Sequence, residues 1–139
     1  MTAFFAQLAM VAIVGSLLSP SSTLAQILPP ATKAARVRIT QGPELESAWD
    51  NWAIIRWQSN NPGGSDEHDG VVHYGTDPKK LSQTAKSHIR LNQTHSYTIF
   101  RVRVNGLAPR TTYYYTVDSM AANGTSDGVK STVKHFTTH

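Results

Sequence analysis

The chain is 139 residues long, with 40% hydrophobic and 16% charged residues and a formal net charge of +4. That leaves room for one domain of ordinary globular character and none for a second, catalytic one. It contains no cysteine, so disulfides, thiolate zinc sites and a cysteine nucleophile are excluded, and a positive balance of this size is not by itself a nucleic-acid signature.

Residues 1–25 carry no charged side chain, and an apolar run from Leu8 to Leu18 gives way to Pro20 and then Thr23-Leu24-Ala25 before Gln26. The run falls short of the ~20 residues that a membrane span needs. Its small-residue ending predicts a secretory signal peptide cleaved after Ala25, a secreted, periplasmic or cell-surface destination, and no membrane span after cleavage. The n-region lacks Lys and Arg, which keeps a retained N-terminal anchor as the alternative. Residues 26–35, "QILPPATKAA", read as a linker, because the double proline removes two amide donors and favours an extended chain.

From residue 36 to 139 the chain breaks into short alternating segments. "RVRIT" (Arg36 to Thr40) places Val37 and Ile39 on one face and Arg36 and Arg38 on the other. "WAIIRWQ" (Trp52 to Gln58) puts Ala53, Ile55 and Trp57 together, opposite Ile54 and Arg56. "SNNPGGSDEHDG" (Ser59 to Gly70) reads as loop. "VVHYGT" (Val71 to Thr76) is a strand with Val72 and Tyr74 on one side, and a weak strand is expected around Gln83 to Ser87. Next comes Tyr97 to Val104, with Phe100, Val102 and Val104 facing one way and Arg101 and Arg103 the other. A strand from Thr112 to Ser119 and a final one around Lys130 to Thr137 complete the series. In the last, Val133 and Phe136 differ in parity, which predicts a bulge or a misplaced boundary. The pattern argues for an antiparallel two-sheet sandwich.

Trp57 and the corner Leu107, Pro109, Thr111, Tyr113, followed by Tyr115 and Val117, resemble a fibronectin type III domain. The resemblance implies an all-β, seven-stranded, immunoglobulin-like sandwich with Trp57, Tyr74, Leu107, Pro109, Tyr113, Tyr115 and Val117 in its structural core. It makes Tyr113 a latch whose phenol bonds backbone a few residues upstream. Tyr115 continues the inward face and Tyr114 points outward. More narrowly, "VVHYGTDPKKLSQTA" with "VNGLAPRTTYYYTV" is similar to the N-terminal fibronectin-like domain of purple acid phosphatases. In that family the metal ligands and phosphate chemistry belong to a downstream metallophosphoesterase domain, so no catalytic residue and no cofactor is carried over.

The candidate chemistry is sparse. Asp66, Glu67, His68 and Asp69 are metal-ligating types, but adjacent residues on a loop rarely converge on one ion, and a solvated polar loop is the reading preferred. No G-x-S-x-G elbow, glycine-rich phosphate loop or pair of carboxylates on ordered neighbouring strands is present. If the first, second and fifth strands share a sheet, Arg36, Arg38, Arg56, Arg101 and Arg103 fall on one outward face. Their forks suit carboxylate, sulfate or phosphate groups, although charge on exposed strands also resists edge pairing. Trp49 and Trp52 are either covers for the open end of the sandwich or aromatic anchors for a sugar ring or a protein. The expectation is a non-catalytic binding module for an anionic glycan, lipid or protein surface, with no specific nucleic acid. The alternatives are an accessory subunit or fragment of a purple acid phosphatase-like metallophosphoesterase, and a structural spacer held by an uncleaved leader.

Overall fold

In a computed structural model of the chain, the described residues are Gly15 and 36–139. The expected leader and linker therefore lie outside the described residues, Gly15 apart. Seven strands follow in order: β1 (Ile39–Ala48), β2 (Trp52–Asn60), β3 (Glu67–Gly75), β4 (Gln83–Arg90), β5 (Tyr97–Asn105), β6 (Thr112–Ala121) and β7 (Lys134–Thr137). They form a three-stranded sheet, β1-β2-β5, and a four-stranded sheet, β4-β3-β6-β7, and every pairing is antiparallel. No helix among the described residues is long and apolar enough to cross a membrane.

The core follows from the period of two that the strands share. Ala53, Ile55 and Trp57 from β2 and Phe100, Val102 and Val104 from β5 point inward, and each is essentially inaccessible to solvent. Val72 and Tyr74 from β3, Tyr113, Tyr115 and Val117 from β6, and Phe136 from β7 meet them from the facing sheet. Trp57 stacks on Phe100 with ring centroids 5.0 Å apart. Burying a large apolar side chain of this kind is worth ~1.5–3 kcal/mol, and these residues carry the sandwich without covalent help. Gly70 is part of this fit: a Cβ there would lie 3.0 Å from Phe100 and 3.1 Å from both Trp57 and Val102. The indole and its neighbours lie in the space that a side chain on β3 would need.

The tyrosine corner forms as the resemblance implies. The Ala108 N–H donates to the Tyr113 hydroxyl at 2.9 Å, and Leu107 is buried beside it. Tyr115 is buried deeply enough that its phenol is pushed up to about 12, while Tyr114 is half-buried and lies against His135 on the outer side. Pro109, expected in the core, is exposed and lies in the turn between β5 and β6, outside the buried cluster.

Three boundaries differ from the sequence expectation. The first strand is not residues 36–40 but Ile39–Ala48, so Arg36 and Arg38 precede it. Its pairing with β2 is broken by three register shifts, and Gly42-Pro43 sits in its middle with a cis peptide. A segment so interrupted shows no clean alternation. Second, β3 begins at Glu67, inside the stretch read as loop, so "EHDG" is strand. Third, β7 begins only at Lys134; Val133 lies outside it and is exposed, which resolves the parity conflict with Phe136 as a misplaced boundary. The weak fourth strand is present and runs on to Arg90.

Candidate functional site

The sequence candidates separate into three places. The first is the outer face of the three-stranded sheet. Arg56 and Arg101 sit opposite one another across β2 and β5, and each is met by a glutamate from β1. Arg56 bonds Glu44 at 3.1 Å. Arg101 engages Glu46 through two nitrogens, its Nε at 2.7 Å from one carboxylate oxygen. The hydrogen bond from Arg101 holds the Glu46 carboxyl below the usual carboxylate range. The middle of this face is thus charge-balanced. Glu44 and Glu46 could have been found from sequence only by recognising "GPELES" as strand, and the proline within it hid that.

The second place is one end of the same sheet. Trp49 is 58% exposed and stacks on Trp52, with ring centroids 5.9 Å apart and planes 28° apart. On Trp52 lies the Arg103 guanidinium, 4.1 Å from the ring centre, steadied by a 2.8 Å bond from its Nε to Asn105. The turn between β1 and β2 sets this geometry, because the Trp49 N–H donates to the Trp52 carbonyl at 2.8 Å and folds the two indoles together. Ser47, Ala48, Asp50 and His139 complete a hollow of about 490 Å³ beside Trp49. Trp49, Trp52 and Arg103 are brought together here, away from Arg36 and Arg38.

The third place holds those two arginines. Asn60, at the end of β2, accepts from the Arg38 N–H at 2.7 Å and donates to the Arg36 carbonyl at 2.9 Å. The segment ahead of β1 is therefore fastened down without being a strand, and five arginines do not share one face.

The metal-ligating types do not converge. His68 faces inward, fully buried, with Nε2 at 3.1 Å from Asp127; the other Asp127 oxygen accepts from Ser119 at 2.7 Å. This ties the loop after β6 to β3. Glu67 and Asp69 face outward, and both bond the exposed His88, at 2.6 and 3.1 Å. Strand alternation thus sends neighbours in sequence to opposite sides of the sheet. Among the described residues no three His, Asp or Glu side chains are placed to hold an ion.

Two packed antiparallel sheets, a tryptophan in the second strand and a tyrosine corner define a fibronectin-like β-sandwich module. Residues 41–138 match the family described as the N-terminal domain of purple acid phosphatase, and the chain belongs to that family. Among solved structures it is similar to the sensor domain of the anti-sigma factor RsgI4 from Pseudobacteroides cellulosolvens, in two versions. The longer matches at 16% identity and a TM-score of 0.50, over 73% of this chain and 88% of that one. The shorter matches at 18% identity and the same TM-score of 0.50, over 76% of this chain and 97% of that one. At this identity the likeness is one of fold. No curated protein matches the chain.

Proposed function

We propose that this is a non-catalytic interaction module, exported by its leader, that docks onto surface glycans through the Trp49, Trp52 and Arg103 end of the three-stranded sheet. The observation that carries the reading is the Trp49 ring, which is largely solvent-exposed yet held in place by Trp52 beneath it. A fixed indole face offers the flat apolar surface on which the C–H side of a sugar ring stacks at low entropic cost. Arg103 lies beside it and adds a guanidinium suited to a sugar carboxylate. The fold is that of a sensor domain in the RsgI4 anti-sigma factor, which fits work done by binding.

The test is a glycan array probed with the exported protein, its Trp49→Ala variant and its Arg103→Ser variant. Trp49→Ala is expected to abolish binding to neutral and carboxylated glycans alike. Arg103→Ser should weaken only the acidic ones, and do so most at low salt. Equal binding by Trp49→Ala and the parent sinks the reading. Export itself is checked by intact mass, where a mature start at Gln26 is expected and a retained Met1 would favour an anchored spacer.

Family membership favours a second reading, an accessory part of a metallophosphoesterase. Co-purification of a metal-dependent phosphatase with the protein from its host would support it, and a neighbouring reading frame without such a domain would count against it.

A further inference from the structure

A groove of about 510 Å³ opens along the seam where the edge of β1 meets the approach to β7, and its lining includes Arg36, Arg38, Lys130 and Lys134 but no acidic residue. None of these cations is ion-paired to a carboxylate among the described residues. This contrasts with Arg56 and Arg101 on the neighbouring face, each matched by a glutamate. Like charges gathered from separate segments repel, and the arrangement stores an unmet demand for anions.

Both walls of the groove are held by hydrogen bonds. Asn60 clasps the backbone of Arg36 and Arg38 on one side. On the other, the Ser131 N–H donates to the Val117 carbonyl at 3.1 Å, and the Ser131 hydroxyl accepts from the Val117 N–H at 2.9 Å. That pair carries Lys130 alongside β6. Gly128 also lines the groove, and nothing lies within 4 Å of where its side chain would stand, so the backbone is bare there. The volume falls within the range of sites that take small ligands, ~300–1,000 Å³.

We propose that this groove binds tetrahedral oxyanions, sulfate or phosphate groups, carried on a linear chain. Guanidinium forks from Arg36 and Arg38 would grip successive groups from one wall, and the ammonium ends of Lys130 and Lys134 would neutralise them from the other. The site is separate from the Trp49 platform and does not depend on it.

The experiment measures binding of the whole chain to dextran sulfate, to sodium polyphosphate and to vesicles of phosphatidylcholine with phosphatidylglycerol, each across a salt series. Two variants are compared with the parent: Arg36→Ser/Arg38→Ser/Lys130→Ser/Lys134→Ser, and the milder Lys130→Ala/Lys134→Ala in case the first does not fold. At least one soluble polymer is expected to bind, with the negative slope of log K against log salt becoming shallower by about 0.7 for each cation removed, as for a flexible single-stranded polyanion. Preference between the two polymers identifies the group as sulfate or phosphate. Polyphosphate has no sugar ring for an indole to stack on, so Trp49→Ala should bind sodium polyphosphate unchanged, and on that probe failure of the glycan reading and failure of this one are distinguishable. Polymer binding that survives in Lys130→Ala/Lys134→Ala with the parental salt slope overturns the proposal. Binding confined to vesicles, or to none of the probes, does so too.

Discussion

Three consecutive tyrosines, Tyr113 to Tyr115, have three different surroundings, and the difference is measurable. Tyr113→Phe removes the acceptor of the Ala108 N–H in a part-buried bond and is expected to cost about 0.5–1.5 kcal/mol, the net worth of one such hydrogen bond. Tyr114→Phe, on the half-buried outer side, should be close to neutral. Urea unfolding of the pair checks both, and equal losses would contradict the geometry. His88 offers a second residue-scale test. Its bonds to Glu67 and then Asp69 hold its pKa above the ordinary 6.5, so the protonated ring is the favoured partner of the folded state. The stabilisation it brings is fully present below the unfolded pKa of about 6.5 and is lost as pH rises through the higher folded value. An NMR titration should place the His88 transition above that of an unpaired histidine, and Glu67→Gln should bring it down. The latch and the inward tyrosines were legible in sequence because alternation and one corner motif fix them. Pro109 was not: the motif says where the proline stands in the chain, not how much of it is covered.

At the scale of elements, β2, β5 and β6 could be read directly because each carries three apolar residues at every second position: Ala53, Ile55 and Trp57; Phe100, Val102 and Val104; Tyr113, Tyr115 and Val117. β1 could not, since its bulges and Gly42-Pro43 erase the period. With β1 unrecognised, the glutamates that answer Arg56 and Arg101 were invisible, and Arg36 and Arg38 were assigned to a strand they only precede. The start of β3 was hidden for a related reason: "DEHDG" has loop composition, and only His68, buried against Asp127, betrays an inward face. Two predictions belong here. Gly70→Ala pushes a methyl into Trp57, Phe100 and Val102 and should cost about 1–3 kcal/mol by overpacking, seen as a lower unfolding midpoint with an unchanged m-value. Asn60→Ala removes the two side-chain bonds that pin the segment ahead of β1 and leaves only the bond from the residue-60 N–H to the Arg38 carbonyl, 3.2 Å long. Faster hydrogen exchange at the Arg38 amide is the expected result, with the β2–β5 ladder unaffected; unchanged exchange would mean that the clasp does not hold the groove wall.

For the whole molecule, the sandwich is over-determined and the sites are not. Fourteen buried side chains of one cluster draw on β2, β3, β5, β6 and β7 and on the connections after β4 and β5, so errors at individual boundaries barely disturb the architecture. A surface site depends instead on a handful of partners brought in from distant segments, and a single unrecognised strand rearranges it. That strand has one more effect. β1 is an outer strand of its sheet, and an outer strand with a regular run of free amides and carbonyls is a template on which another chain can polymerise. Pro43 offers no amide, and the three register shifts bend the remainder out of step. The irregularity that concealed β1 in the sequence thus works as a guard against self-templating, at the one edge of the three-stranded sheet that this strand forms.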